Sequence, residues 1–336
     1  MKQFLSIILT MLLVFGLTAC QTTNQPAEST PATEAPDPTE ETQTPEEAKV
    51  LKILTIGNSH SNDANWLLYE AFHDQNPEQE VVIATMYYSG CSITQHVTFA
   101  MANDPVYEYN VNRDGTWIRT KGYTLQQALE AEQWDIVVIQ ESGAGDESKF
   151  TINVRGALVN YVNQHLTTPH RFIWNMSFPF PTDEIFYSPD YDPQPPSGNR
   201  DKLIRLYNFD PVLCLQKNHE MMQKYILPDS TYDYIIPTGT AIMHTTLVSG
   251  CAQTEIWRDY THLTDYGRLV AAYAWYAKIS GNTITQIGID SIAASLRHAR
   301  AQKLGDMDVT EEMKQVILAA ANFSLENPWT IPGQAG

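Results

Sequence analysis

The chain has 336 residues, of which 39 are acidic and 21 basic, and its formal net charge is −18 at pH 7. This balance opposes nucleic acid or an anionic lipid surface as a partner, and it says little about a neutral sugar. The four cysteines form no CxxC pair and no cysteine–histidine spacing typical of zinc, so no metal site is predicted.

Residues 1–20 are predicted to be a lipoprotein signal peptide. Lys2 supplies a positive charge, and an apolar run at residues 4–15 has the length of a secretory h-region, too short to span a membrane. The sequence LTAC at residues 17–20 resembles the bacterial lipobox, which implies lipidation of Cys20 and anchoring of an exported protein to the outer face of the bacterial cell membrane. The alternative is an ordinary cleaved signal in which Cys20 is incidental.

Residues 21–49 are rich in Pro, Thr and Glu and contain almost no apolar side chains. Such a segment cannot bury enough surface to offset the entropy of ordering it, so we predict a disordered tether. Residues 50–336 are long enough for one large domain with a full core.

Apolar segments of strand length alternate with helical patterns along this domain. The predicted strands are residues 51–56, 80–87, 135–140, 171–177 and 233–237. The predicted helices are residues 66–73, 125–132, 152–165, 202–226, 266–280, 290–303 and 310–324. The strands are apolar almost throughout, which favours a parallel sheet of five strands covered on both faces. Residues 107–119, with NRDG between two alternating runs, predict a hairpin at the margin of the sheet.

Polar residues follow three of the predicted strands, at the ends where open parallel sheets bind ligands. Gly57-Asn58-Ser59 ends the first strand, SGCS at residues 89–92 follows the second, and QESG at residues 140–143 closes the third. A further segment, RDYTH at residues 258–262, leads into a late helix. A serine hydroxyl needs a base whose tautomer is fixed by a third group, and these segments supply all three.

Four blocks together resemble the SGNH (GDSL-like) hydrolase superfamily, and more closely its DUF4886 branch. They are IGNSHS at residues 56–61, GCS at 90–92, WDIVVIQES at 134–142 and RDYTHLT at 258–264. The resemblance implies a three-layer α/β/α flavodoxin-like sandwich with a central, mostly parallel five-stranded sheet, the SGNH hydrolase fold. It implies no cofactor and no metal.

The resemblance also implies roles for single residues. Ser59 would be the nucleophile, His262 the general base and Asp259 the group that orients its imidazole. The backbone amides of Ser59 and Gly90 would form the oxyanion hole. The family pattern has an asparagine as the third donor, and Gln140 takes its place here. The alternative interpretation is that Ser59 and Asp259 only cap helices and that His262 is structural.

Other residues near these segments are candidates for supporting roles. Asn58, His60, Cys91 and Glu141 are candidate substrate-binding residues, and Asp63 is a candidate structural carboxylate. Cys91 and Cys251 could form a disulfide, or all three cysteines of the domain could be free thiols. Residues 178–200 form a long loop that is either part of the site or a surface excursion. The candidate platforms for sugar rings are Trp66, Trp117, Tyr187 and Tyr191.

The predicted function is that of a serine esterase that deacetylates a carbohydrate or cell-envelope glycan through an acyl-enzyme. The predicted partners are an acylated carbohydrate or small ester and, through the lipid, a membrane; nucleic acid is not expected. One alternative is a non-catalytic surface lipoprotein that binds glycan or solute on the same scaffold. Another is a different acyl or phosphoryl hydrolase, or an acyltransferase.

Overall fold

A computed structural model describes residues 49–141, 147–183, 207–297 and 305–334. These residues belong to the larger of two compact units, Glu47–Gly336. The smaller unit, Met1–Glu46, lies outside the described residues, and so do the predicted signal peptide, Cys20, most of the tether and most of the 178–200 loop.

The central sheet contains seven strands in the order β4-β3-β2-β1-β5-β6-β7. Their bounds are β1 Leu51–Gly57, β2 Val81–Tyr87, β3 Tyr107–Asn112, β4 Trp117–Tyr123, β5 Ile136–Ile139, β6 Arg171–Asn175 and β7 Tyr232–Ile236. β1 pairs in parallel with β2 on one side and with β5 on the other, and β6 and β7 continue in parallel. Numbered in chain order among themselves, the five parallel strands have the flavodoxin-like order 2-1-3-4-5. The second strand lies on one side of β1 and the later three on the other, so the order in which strands are added reverses at β1.

The sheet has seven strands, so the prediction of a five-stranded sheet was wrong in number. The five predicted strands form its parallel part, and the predicted hairpin adds β3 and β4 in antiparallel fashion to the free edge of β2. β3 is mostly buried whereas β4 is mostly exposed, as expected for an outermost strand. A separate pair of short strands joins β8 Ser291–Ile292 to β9 Met307–Asp308.

The helix bounds are α1 Ser59–Asn65, α2 Leu68–Gln75, α3 Ile93–Ala102, α4 Leu125–Ala131, α5 Ile152–His165, α6 Pro211–Met221, α7 Thr238–Leu247, α8 Gln253–Ile256, α9 Asp265–Ser280 and α10 Glu311–Glu326. These helices pack in two groups. One group contains α3, α4 and α5, and the other contains α1, α2 and α6 to α10. No helix within the described part of the chain is long and apolar enough to cross a bilayer.

Two helix predictions need correction. The helix predicted over residues 202–226 is interrupted in its described part, because Asn208 and Phe209 have left-handed backbone conformations, and α6 begins at Pro211, where Asp210 caps the amides that follow. The helix predicted over residues 290–303 is replaced, in its described part, by β8 and a short 3₁₀ turn at Ala294–Leu296.

The start of α9 brings the RDYTH segment into place. Thr264 caps α9 by accepting a hydrogen bond from the amide of Gly267. A Cβ on Gly267 would lie 2.5 Å from the carbonyl oxygen of Ile256, so only glycine allows α9 to begin this close to α8. Residues 258–263 are therefore held as a short loop between the two helices.

Candidate active site

The predicted nucleophile lies on a tight turn between β1 and α1. Asn58 caps α1 by accepting a hydrogen bond of 3.0 Å from the amide of His60. Its Nδ2 donates to the carbonyl oxygen of Cys91 at 2.9 Å, which ties the turn to the end of β2. A Cβ on Gly57 would lie 2.2 Å from the Oγ of Ser61, so this turn requires glycine. Ser59 is the first residue of α1 and is partly exposed.

The loop before α9 presents an aspartate and a histidine that interact directly. Nδ1 of His262 lies 2.9 Å from both carboxylate oxygens of Asp259. Oδ1 of Asp259 also accepts hydrogen bonds from the backbone amides of Thr261 and His262, at 2.9 and 2.8 Å. Burial alone would raise the pKa of Asp259, but the hydrogen bonds from His262 and Thr261 outweigh it and lower the pKa. An ionised Asp259 keeps the proton on Nδ1 and leaves Nε2 as an acceptor.

Ser59, Asp259 and His262 line one cavity of about 260 Å³ at the carboxyl edge of β1 and β2. The structure thus brings together residues that are about 200 positions apart in sequence. The complete lining is Ser59, Asn62, Asp63, Trp66, Tyr87, Ser89, Glu108, Arg119, Arg258, Asp259, His262 and Arg268.

Asp63 links the helix that carries Ser59 to the loop that carries His262. Its carboxylate lies 2.6 Å from Nη2 of Arg268 and 3.2 Å from Nη1 of Arg258, and it accepts the amide of Leu263 at 2.9 Å. Burial alone would raise the pKa of Asp63, yet Arg268 and Arg258 hold it well below its usual range. Asp63 is therefore an ionised structural carboxylate, the role that the sequence suggested for it. We call this set of contacts the Asp63 latch.

Two backbone amides are available beside the nucleophile. Gly90 has a left-handed conformation with φ +65°, is exposed, and ends the turn after β2. Neither its amide nor that of Ser59 has a backbone acceptor among the described residues. The oxyanion role of these two amides stays a prediction.

Gln140 lies behind the turn and does not line the cavity. Its Oε1 accepts hydrogen bonds from the amide of Asn58 at 3.4 Å and from the Oγ of Ser61 at 2.9 Å. Its Nε2 is buried and has no partner among the described residues. These contacts support the turn from below, and the oxyanion role of Gln140 stays a prediction.

The four candidate substrate-binding residues are all buried and none lines the cavity. Asn58 caps α1, as described above. Glu141 accepts the amide of Ile93 at 2.8 Å and so holds the start of α3. Burial raises the pKa of Cys91 to about 12, so its side chain remains a thiol and is no rival nucleophile.

His60 is buried and contacts the loop that carries Asp259 and His262. Its Nε2 lies 2.9 Å from the Oγ1 of Thr261, and its ring stacks on Phe178 with centroids 4.4 Å apart. Burial, helped by the nearby His262, lowers the pKa of His60 from 6.5 to about 3. His60 is thus a neutral positioning residue.

This pKa predicts a loss of stability in acid. The unfolded chain takes up a proton on His60 near pH 6.5, whereas the folded protein does so only near pH 3. The stabilisation is complete above pH 6.5 and declines toward pH 3, by up to about 1.4 kcal/mol per pH unit. Between pH 6.5 and pH 5, the free energy of unfolding of wild type should fall by about 2 kcal/mol more than that of His60→Gln. Urea denaturation at the two pH values measures the difference. Equal losses in both proteins would contradict the burial of a neutral His60.

All three cysteines among the described residues are free. Of the two alternatives from the sequence, the structure therefore has free thiols and no Cys91–Cys251 disulfide. Cys251 instead lies 3.8 Å from the hydroxyl of Tyr266. Within the described ranges, no group of three or more His, Cys, Asp or Glu side chains is arranged to hold a metal ion.

Two of the four predicted aromatic platforms, Trp66 and Trp117, already stack on each other. Trp66 lines the cavity but is only 3% exposed, and its ring stacks on Trp117 at 4.6 Å. Its Nε1 donates to the carbonyl oxygen of Leu296 at 2.6 Å. The other two candidates, Tyr187 and Tyr191, lie outside the described residues.

The sequence analysis missed the contribution of the hairpin to the cavity wall. Glu108 on β3 and Arg119 on β4 line the cavity together with Tyr87 at the end of β2. The hairpin itself was predicted at the sheet margin, and the alternation of β4 places Trp117 and Arg119 on one face. The shared face of Trp117 and Arg119 was the sequence signal that could have indicated this contribution to the cavity wall.

The strand order and the flanking helices define an α/β protein with a flavodoxin-like, mostly parallel sheet. Residues 52–183 match the family described as "Domain of unknown function (DUF4886)". The resemblance to this family predicted from the sequence is thereby confirmed.

Two solved structures are similar to the chain, and the first of them shares its fold. A DUF4886 family protein from Bacteroides uniformis is 22% identical, with a TM-score of 0.66, and the match covers 84% of this chain and 97% of that one. An acetyl xylan esterase from Geobacillus stearothermophilus is 11% identical, with a TM-score of 0.40 and coverage of 70% and 97%. No protein of curated function matches the chain.

Proposed function

We propose that the protein is a serine esterase that removes a small acyl group, acetyl above all, from a carbohydrate or cell-envelope glycan. The observation that carries the proposal is the pairing of His262 with the carboxylate of Asp259 on the wall of the cavity that Ser59 also lines. A serine, an imidazole of fixed tautomer and free amides are what acyl transfer requires.

The reaction follows from the protonation states at the site. Nε2 of His262 accepts the proton of the Ser59 hydroxyl as Oγ attacks the ester carbonyl carbon. The tetrahedral oxyanion accepts hydrogen bonds from the backbone amides of Ser59 and Gly90. His262 then gives its proton to the departing sugar oxygen. Water, deprotonated by His262, attacks the acyl-enzyme, and collapse of the second intermediate releases the carboxylic acid and restores Ser59.

The size and polarity of the cavity support a short acyl group. Its volume of about 260 Å³ is below the range of pockets that enclose drug-sized ligands. Most of its lining side chains are polar or charged, which suits hydroxyl-rich sugars better than a long acyl chain. Lipidation of Cys20, if it occurs, would present the site to extracellular polymers.

A fluorophosphonate probe tests the nucleophile directly. We expect covalent labelling of wild-type protein at Ser59, no labelling of Ser59→Ala, and strongly reduced labelling of His262→Ala. Ser61→Ala is a matched control, because Ser61 is buried behind the turn. Its labelling should stay at Ser59.

Folded wild-type protein that resists labelling would contradict the esterase and favour a non-catalytic glycan-binding lipoprotein. A panel of acetylated sugars, longer acyl esters and phosphodiesters then defines the reaction. Faster turnover of long acyl chains or phosphodiesters would contradict the proposed preference for acetyl.

A further inference from the structure

One cation on the cavity wall, Arg119, has no carboxylate partner within the described part of the chain. Arg258 and Arg268 line the cavity too, but both are paired with the buried Asp63. Arg119 on β4 is exposed and makes no ion pair with a carboxylate among the described residues. In a chain of net charge −18, a free cation beside the nucleophile is unexpected on composition alone.

The guanidinium of Arg119 is held in place. It lies over the ring of Trp66, 4.6 Å from the ring centroid. Trp66 is itself fixed by stacking on Trp117 and by its hydrogen bond to the carbonyl oxygen of Leu296. A stacked guanidinium loses little further freedom on binding and still offers its donors to a planar acceptor.

We propose that Arg119 binds a carboxylate of the substrate close to the ester, so that the preferred substrate is an acylated acidic sugar. The inference rests on the proposed esterase function and specifies its substrate class. Arginine forms two parallel hydrogen bonds to a carboxylate, a geometry that lysine cannot reproduce.

Glu108 on the neighbouring strand β3 determines which kind of anionic ligand group the cavity favours. It lines the same cavity and makes no ion pair with Arg119 or with any other described cation. Its negative charge opposes a second charge on the ligand, which favours a singly charged carboxylate over a doubly charged phosphate monoester. Glu108 can accept a hydrogen bond from a neighbouring sugar hydroxyl.

Kinetics on paired substrates test the proposal. We compare kcat/KM for an O-acetylated oligogalacturonide with that for an acetylated xylo-oligosaccharide of equal length. Wild-type protein should prefer the acidic substrate by about tenfold, and Arg119→Gln should abolish that ratio. Glu108→Gln should raise it. Arg171→Gln makes an equal charge change at the start of β6, at the amino-terminal ends of the parallel strands. It should leave the substrate preference unchanged.

Binding gives a readout that does not depend on catalysis. By calorimetry, wild-type protein should bind the deacetylated oligogalacturonide about tenfold more tightly than the neutral oligosaccharide, and Arg119→Gln should bind both equally. Equal binding by wild type, or an unchanged preference in Arg119→Gln, would overturn the proposal. Tighter binding of a phosphorylated sugar would overturn the choice of carboxylate. Failure of the esterase itself would instead appear as absent fluorophosphonate labelling, with the binding preference intact.

Discussion

Replacement of Asp259 by asparagine is expected to lower kcat for a small acetyl ester by about 10⁴-fold. Asparagine can still accept the amides of Thr261 and His262 through Oδ1, so the loop keeps its shape. Its amide nitrogen, however, would donate to Nδ1 of His262 and move the ring proton to Nε2. The imidazole would then have no lone pair for the hydroxyl proton of Ser59. Steady-state kinetics on the purified variant measure the effect.

A control for this variant is Asp308→Asn, which removes an exposed carboxylate on β9. Its kcat should equal that of wild type. A decrease of less than tenfold in Asp259→Asn, with unchanged thermal unfolding, would show that Asp259 does not set the tautomer of His262.

Replacement of Asp63 by asparagine should lower the free energy of unfolding by about 3–5 kcal/mol, because it leaves buried arginine charge uncompensated. The side chain of Arg268 is 3% exposed and, among the described residues, would keep Asp265 as its carboxylate partner. Arg258 would lose its ion pair with Asp63, so the loop of His262 would separate from α1. We expect kcat to fall as well. Urea denaturation and kinetics on the same preparation measure both effects.

An exposed ion pair provides the comparison for Asp63. Glu147 pairs with Lys224 at 3.0 Å, and both side chains are more than half exposed at 54% and 55%. Glu147→Gln should therefore leave the free energy of unfolding nearly unchanged, because solvent screens an exposed pair. A cost for Asp63→Asn no larger than for Glu147→Gln would contradict the importance of the Asp63 latch.

Much of the fold could be predicted because its signals are local. The five parallel strands are short apolar runs, and the hairpin has a turn sequence between alternating residues. α3 was missed although Ser92 and Gln95 form a capping box at its start, a signal that was present in the sequence. The number of strands was wrong because pairing of the hairpin with β2 is a long-range event that no local pattern encodes.

The site divides in the same way. Asp259 and His262 are three residues apart, so their interaction could be predicted from a short motif. The partners of Asp63 and Gln140 could not, since each contact joins distant segments. Burial also reversed expectations: His60 stands next to Ser59 in sequence, yet it does not line the cavity, and its ring contacts Thr261 instead.

The Asp63 latch also sets when activity can first arise during synthesis. A nascent chain that ends before Arg258 already contains Ser59, the whole central sheet and the hairpin, but neither the imidazole nor the two guanidinium groups that Asp63 requires. Such an intermediate would hold an unpaired carboxylate and an inert hydroxyl. Under the proposed mechanism, catalytic competence therefore cannot arise before residues 258–268 have been synthesised and have joined the folded sheet.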